Sequence, residues 1–150
     1  MPNRVIVGFV FTDSFTGSME SNPFNFGNHK ITNLTLKIAS KALPYSSALD
    51  FDFTNNRYIQ GYNSLFQGIR ESPNNITYDD YKNGYTLFAY DLTPDLCSEN
   101  HFNLLQDGSL DLDITFGEAP KKSITAIFYL EFDNIIEITK NRQILFDYKI

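Results

Sequence analysis

The chain predicts an all-β fold, an antiparallel jelly-roll sandwich of about eight strands with one helical insertion near residues 57–69. Three observations predict it. Apolar and polar residues alternate with period two in short runs: Leu110, Leu112, Ile114 and Phe116 face one way against Asp111, Asp113 and Thr115, and Leu34, Leu36 and Ile38 alternate with Thr35 and Lys37. These runs are split by clusters of Asn, Asp, Gly and Pro, the residues of turns. Aromatic residues are abundant, with 14 Phe and 9 Tyr, while charged residues make up only 20%, so the chain is rich in side chains that suit a pleated, covered surface.

Along the chain, residues 5–11 are apolar on both alternating faces, as in a strand covered on both sides or lying at a subunit contact. Residues 13–29 contain Gly17, Pro23 and Gly27 and read as a long surface loop, within which Phe24 and Phe26 form either exposed anchors or a small satellite core. A half-buried strand at 34–38 is followed, after a short turn, by a further strand within 42–53. Tyr58, Ile59, Tyr62, Leu65, Phe66 and Ile69 then fall at helical spacing on one face, with Asn55 or Asn56 as the start cap and Gly61 and Gly68 weakening the helix. Thr77 followed by Asp80 is a capping-box-like start for a short helical turn over 78–82. Residues 85–91 return to strand, and Thr93, Pro94 and Asp95 end it. Residues 110–116 form the cleanest half-exposed strand, residues 124–132 are apolar on both sides, and Ile136 and Ile138 pair with Ile144 and Phe146 across a turn at 140–142.

A chain of 150 residues is one domain of common size. Its net charge of −6, with no Lys or Arg between residues 83 and 120, argues against a surface built for direct nucleic-acid contact. That stretch carries Asp91, Asp95, Glu99, Asp107, Asp111, Asp113 and Glu118, a negative field that the ordinary reading assigns to solvated strand and loop faces. Cys97 is the only cysteine, so no intrachain disulfide forms, and with His29 and His101 as the only histidines no Cys/His zinc set can be drawn. The apolar run after Arg4 is short and stopped by Asp13, which reads as a strand and not a leader, and no stretch has the length to span a membrane. The sequons at Asn33 and Asn75 matter only in a secreted protein. No phosphate-cradling, nucleophile-elbow or zinc-protease motif occurs. A Cys97–His101 nucleophile pair lacks any visible activating group, and Asp107, Asp111 and Asp113 do not match an EF-hand spacing. No catalytic residue, cofactor or metal site is expected.

Four segments carry a family resemblance. They are Pro-Asn-Arg-Val at residues 2–5, Asn-Pro-Phe-Asn-Phe at 22–26, Tyr-Asn-Ser-Leu-Phe at 62–66, and Asn-Gly-Tyr-Thr-Leu-Phe-Ala-Tyr-Asp-Leu-Thr-Pro-Asp-Leu at 83–96. Glu-Phe-Asp-Asn-Ile-Ile-Glu-Ile at 131–138 adds a fifth. In this order they make nearly the whole chain similar to the C-terminal half of the hexon-like, double jelly-roll capsid proteins of Polinton or Maverick elements and adintoviruses. The motif residues are Pro23, Phe24, Asn25, Phe26, Tyr62, Asn63, Leu65, Phe66, Asp91, Leu92, Thr93, Pro94, Asp95 and Asn134. The resemblance implies a viral-type structural protein that self-assembles, as a homo-oligomer with a trimer favoured and with other capsid proteins as further partners. It implies residence in a virion assembled inside the host cell, in nucleus or cytoplasm. It also implies that family members continue upstream into another roll and into the first strand of this one.

In this reading strands 5–11 and 124–132 supply the core, loops 13–29 and 69–84 reach neighbours, and a sandwich short of a strand leaves an open edge that another chain fills. The alternative is a non-enzymatic jelly-roll module that attaches to a glycan or receptor, with Tyr78, Tyr81 and Tyr85 either stacking on sugars or packing the core. A cupin-like metal enzyme is third, nearly excluded by the shortage of histidines.

Overall fold

The structure is a computed structural model that describes residues 1–42, 48–68, 74–93, 108–132 and 136–146. Its elements in chain order are β1 (Arg4–Phe11), α1 (Thr12–Phe15), β2 (Ile31–Ile38), β3 (Lys41–Ala42), β4 (Leu49–Asp50), α2 (Ile59–Gly68), α3 (Tyr78–Lys82), β5 (Leu87–Asp91), β6 (Leu110–Phe116), β7 (Ile124–Glu131), β8 (Ile136–Ile138) and β9 (Ile144–Phe146). Every pairing between these strands is antiparallel. The all-β class is therefore the observed one, with nine described strands.

Two sheets share one core. In the first, β1 lies between β5 and β7; in the second, β2 lies between β6 on one side and β3 and β4 on the other. The chain alternates between them, β1 in one, β2 to β4 in the other, β5 back beside β1, β6 beside β2 and β7 beside β1 again. Period two dictates the facing residues: Val5, Val7, Phe9, Phe88 and Tyr90 line one wall, and Ile31, Leu34, Leu36 and Leu49 the other, all buried. Hairpin β8–β9 forms a separate two-stranded sheet as expected, in the register that sets Ile136 opposite Phe146 and Ile138 opposite Ile144. The expected strand within 42–53 is realised as two short pieces, β3 and β4, with residues 43–47 between them outside the described residues.

The helical insertion lies where the spacing placed it, but it presents a different face. Tyr58 and Leu65 are fully buried and Tyr62 half-buried, whereas Ile59 and Phe66 project to solvent, and Ile69 lies outside the described residues. The buried stripe runs through Gly61 and Ser64 because a Cβ at Gly61 would meet Tyr81 Oη at 2.6 Å and Phe51 Cε1 at 2.9 Å. The glycine expected to weaken the helix is what lets it sit against the aromatic core. Neither asparagine caps α2: Asn55 donates to Asp52, and Asn56 Oδ1 accepts from Lys82 Nζ at 2.8 Å. The capping box of α3 is present as predicted, with Thr77 and Asp80 bonded reciprocally.

The expectation for residues 124–132 needs correction. Strand β1, central in its sheet, is buried along most of its length. Strand β7, equally apolar, lies at the sheet edge, and Phe128, Tyr129 and Leu130 are exposed instead of supplying core.

Candidate functional site

The outer strands of the β5–β1–β7 sheet end in opposite ways. Backbone groups alternate in direction along an antiparallel ladder. Leu92 donates to Asn3 on one side of β1 and Thr12 donates to Ser123 on the other, so in register the outward-turned residues are Leu87, Ala89 and Asp91 on β5. On β7 they are Ile124, Ala126, Phe128 and Leu130. The β5 edge is sealed by side chains: Ser64 Oγ on α2 accepts the Ala89 amide at 3.3 Å, and Tyr81 Oη on α3 donates to the Leu87 carbonyl at 3.0 Å. Covering an edge in this way blocks strand addition. Among the described residues no strand or helix does the same for β7.

The second sheet is open on the same side. Ala39 donates to Ser109, which turns the backbone of Leu110, Leu112, Ile114 and Phe116 outward from β2, and no described strand pairs with β6 there. Loop 117–123 carries the chain from β6 in one sheet to β7 in the other. A cleft of about 620 Å³ opens between the two strands, lined by Phe9, Ile114, Phe116, Ile124 and Ala126 with Lys121 and Lys122 at the loop. Beyond it Phe128 (45% exposed) and Leu130 (40%) carry exposed apolar side chains on the face that meets the cleft, Tyr129 (58%) is exposed on the other face of the strand, and Phe132 (57%) is exposed just past its end. Clustered exposed apolar side chains of this kind make the strand a candidate interaction surface.

The motif residues fall into two groups. Pro23, Phe24 and Asn25 are exposed in the loop before β2, and Phe26 docks that loop: its amide donates to the Gly84 carbonyl and its carbonyl accepts from the Thr86 amide. The Phe26 ring covers Gly8, where a Cβ would lie 2.6 Å from it. The loop motif and the start of the 83–96 motif are thus brought together. On α2, Leu65 is buried, Tyr62 donates its hydroxyl to the Ile76 carbonyl, Asn63 faces solvent, and Phe66 packs edge-on against Tyr62 while remaining exposed. Asp91 Oδ1 accepts from both the amide and hydroxyl of Thr93 just past β5, with Leu92 half-buried between them. Pro94, Asp95 and Asn134 lie outside the described residues. Phe24 and Phe26 divide the expectation between them, the first an exposed anchor, the second a piece of packing.

Of the three tyrosines considered for stacking on sugars, two pack inward. Tyr81 is fully buried and Tyr78 stacks on Tyr58 at 4.3 Å between ring centres, leaving Tyr85 as the exposed one of the three. Burial raises the Tyr81 phenol well above its usual pKa of 10.0, as befits a structural donor. His29 contacts the Phe9 carbonyl through Nε2 and the edge of Phe11, and burial lowers its imidazole below the usual 6.5 although the carbonyl pulls the other way. Asp111 accepts from Ser109, and Asp113 pairs with Lys37 on the outer face of the second sheet. No group of three or more His, Cys, Asp or Glu among the described residues is placed to hold a metal ion. Cys97, His101 and Asp107 lie outside the described residues. No described helix is long and apolar enough to cross a membrane.

Sequence patterns point to the loops as contact surfaces and do not single out the β6–β7 side. The two-faced apolar pattern of 124–132 was the signal that could have found it.

No protein-family model matches the chain. It is similar to the uncharacterized protein F54H12.2 of Caenorhabditis elegans, 26% identical over 154 residues that cover 98% of this chain and 36% of the relative. The chain thus spans about a third of the length of the curated relative it matches. No solved structure matches it.

Proposed function

We propose that this chain is a structural subunit that works by self-association, a jelly-roll domain similar to the C-terminal roll of the hexon-like capsid proteins of Polinton or Maverick elements and adintoviruses. The observation that carries the proposal is the side of the sandwich left open among the described residues, where β6 and β7 both end their sheets with outward-turned backbone groups, with half-buried apolar side chains on β6 and exposed ones on β7. A jelly roll has eight strands wound as two Greek keys. Counting β3 and β4 as one position beside β2, six positions are filled: β7–β1–β5 in one sheet and β6–β2–β3/β4 in the other. One further strand beside β7 and one beside β6 would give four and four, both on the same side.

The mechanism is geometric. The buried aromatic core holds the sheets rigid, and the subunit's work is done by surfaces that are stable only when covered. Loop 13–29 offers another such surface, with Phe15, Met19 and Phe24 exposed. The resemblance supports a trimeric capsomer with a pseudo-sixfold outline, other capsid proteins as further partners, and assembly inside the host cell into a virion. The net charge of −6 supports leaving genome contact to another component. Absolute mass by light scattering across a dilution series tests the proposal. A trimer or larger closed assembly is expected; a persistent monomer overturns it.

A further inference from the structure

We infer that hairpin β8–β9 of one copy docks on the open edge of β7 in a second copy, extending the β5–β1–β7 sheet across the subunit boundary. The inference deepens the self-association reading and rests on it. Two features each lack a cover among the described residues, and each supplies what the other lacks.

The donor is the hairpin. It forms its own sheet and makes no substantial packing with any other described element. Its apolar side chains are bare on both faces: Ile136, Ile138 and Ile144 on one, Leu145 on the other, with Ile138 70% exposed. An isolated two-stranded hairpin is marginal in water, and three or more strands with a covered face are needed for stability. The turn fixes its register, with the Thr139 amide donating to the Gln143 carbonyl at 2.9 Å. By alternation, Ile136 and Ile138 then turn their backbone groups away from β9, toward whatever strand comes next.

The acceptor is the edge of β7, where Phe128 and Leu130 turn their backbone groups outward and their side chains toward the gap between the sheets. Pairing β8 with β7 sets isoleucines beside Phe128 and Leu130 on one face, the aromatic and β-branched pairing that favours sheets. Charge favours the same encounter. The hairpin carries +1, from Lys140 and Arg142 against Glu137, which leaves −7 on the rest of a chain whose total is −6. Within one copy β8 does not pair with β7. A donor at one place and an acceptor at another make a heterologous joint, which closes into rings when the rotation permits.

Two single variants test this, Phe128→Asp to spoil the acceptor and Ile138→Asp to spoil the donor. Both positions are exposed, so neither change opens a cavity. Light scattering should find an assembly for the parent chain and 17.2 kDa for each variant alone. An equimolar mixture should recover twice that mass, because one intact donor and one intact acceptor remain per pair. If the parent assembles and either variant still does, or if the mixture stays monomeric, the joint is wrong while self-association stands. If the parent is monomeric at every concentration, both readings fall. Should an Asp variant unfold, Phe128→Cys and Ile138→Cys chains, each also carrying Cys97→Ser, are mixed under mild oxidation. A disulfide-linked heterodimer is expected, and its absence overturns the joint.

Discussion

Replacing Gly61 by alanine sets two known effects against each other in the middle of α2. Helix propensity alone favours the change by about 1 kcal/mol. The new Cβ, however, would lie 2.6 Å from Tyr81 Oη, 2.9 Å from Phe51 Cε1 and 3.2 Å from Phe88 Cε1. These rings have little room to yield, since Tyr81 and Phe88 are fully buried and Phe51 nearly so. Overpacking of a core costs about 1–3 kcal/mol. Moving Tyr81 also weakens its bond to the Leu87 carbonyl, worth about 1 kcal/mol. Sterics win, and Gly61→Ala should destabilise by about 1–3 kcal/mol, or roughly 3–9 °C in Tm for a domain of this size. Scanning calorimetry measures it directly. The double variant Gly61→Ala, Tyr81→Phe should lose less than the sum of its singles, because the nearest clash is with the hydroxyl that Phe lacks. A Tm at or above that of the parent would refute the packing argument and leave propensity as the ruling effect.

Ser64→Ala should unseal the β5 edge: it strands the buried Ala89 amide at a cost of about 1–3 kcal/mol. Amide exchange at Ala89 should accelerate beyond the global change, and unchanged protection there would sink the idea. For His29, burial lowers the folded pKa below the unfolded 6.5, so the unfolded chain takes up the proton first as pH falls. Its contribution should therefore lower stability as pH drops through 6.5 and level off below the folded value. His29→Gln should flatten that part of the profile in urea midpoints measured between pH 7.5 and pH 5; parallel profiles for parent and variant would show that His29 has no part in it.

Local patterns with a single physical cause were legible in the sequence. The alternation of Leu110, Leu112, Ile114 and Phe116 with Asp111 and Asp113 marks the facing of β6, the isoleucines on either side of residues 140–142 mark the hairpin, and Thr77 with Asp80 marks a real capping box. The α2 face was misread because spacing ranks positions by side-chain hydrophobicity, whereas the buried line of this helix is set by what approaches it. Gly61 and Ser64 are buried for the close approach that a missing side chain allows at one and for the hydroxyl oxygen that accepts the Ala89 amide at the other, and neither signal is apolar. Ile59 and Phe66 lost their places to that constraint.

The fates of β1 and β7 show where such reading runs out and what the structure adds. Both strands are apolar on both faces, and that pattern says only that both faces end up covered. For β1 the cover lies within the described chain: two neighbouring strands, the opposite sheet within, and Phe26 over Gly8 without. For β7 one neighbour is β1 and, among the described residues, the other side is unpaired, next to a β6 whose outer side is unpaired as well. The same sheet closes its far edge with Ser64 and Tyr81, so two buried polar groups block strand addition at β5, and among the described residues no side chain does so at β7. A sheet guarded at one edge and apolar at the other leaves strand addition a single side, which is the asymmetry that the proposed self-association would use to add neighbours in a fixed direction instead of aggregating through both.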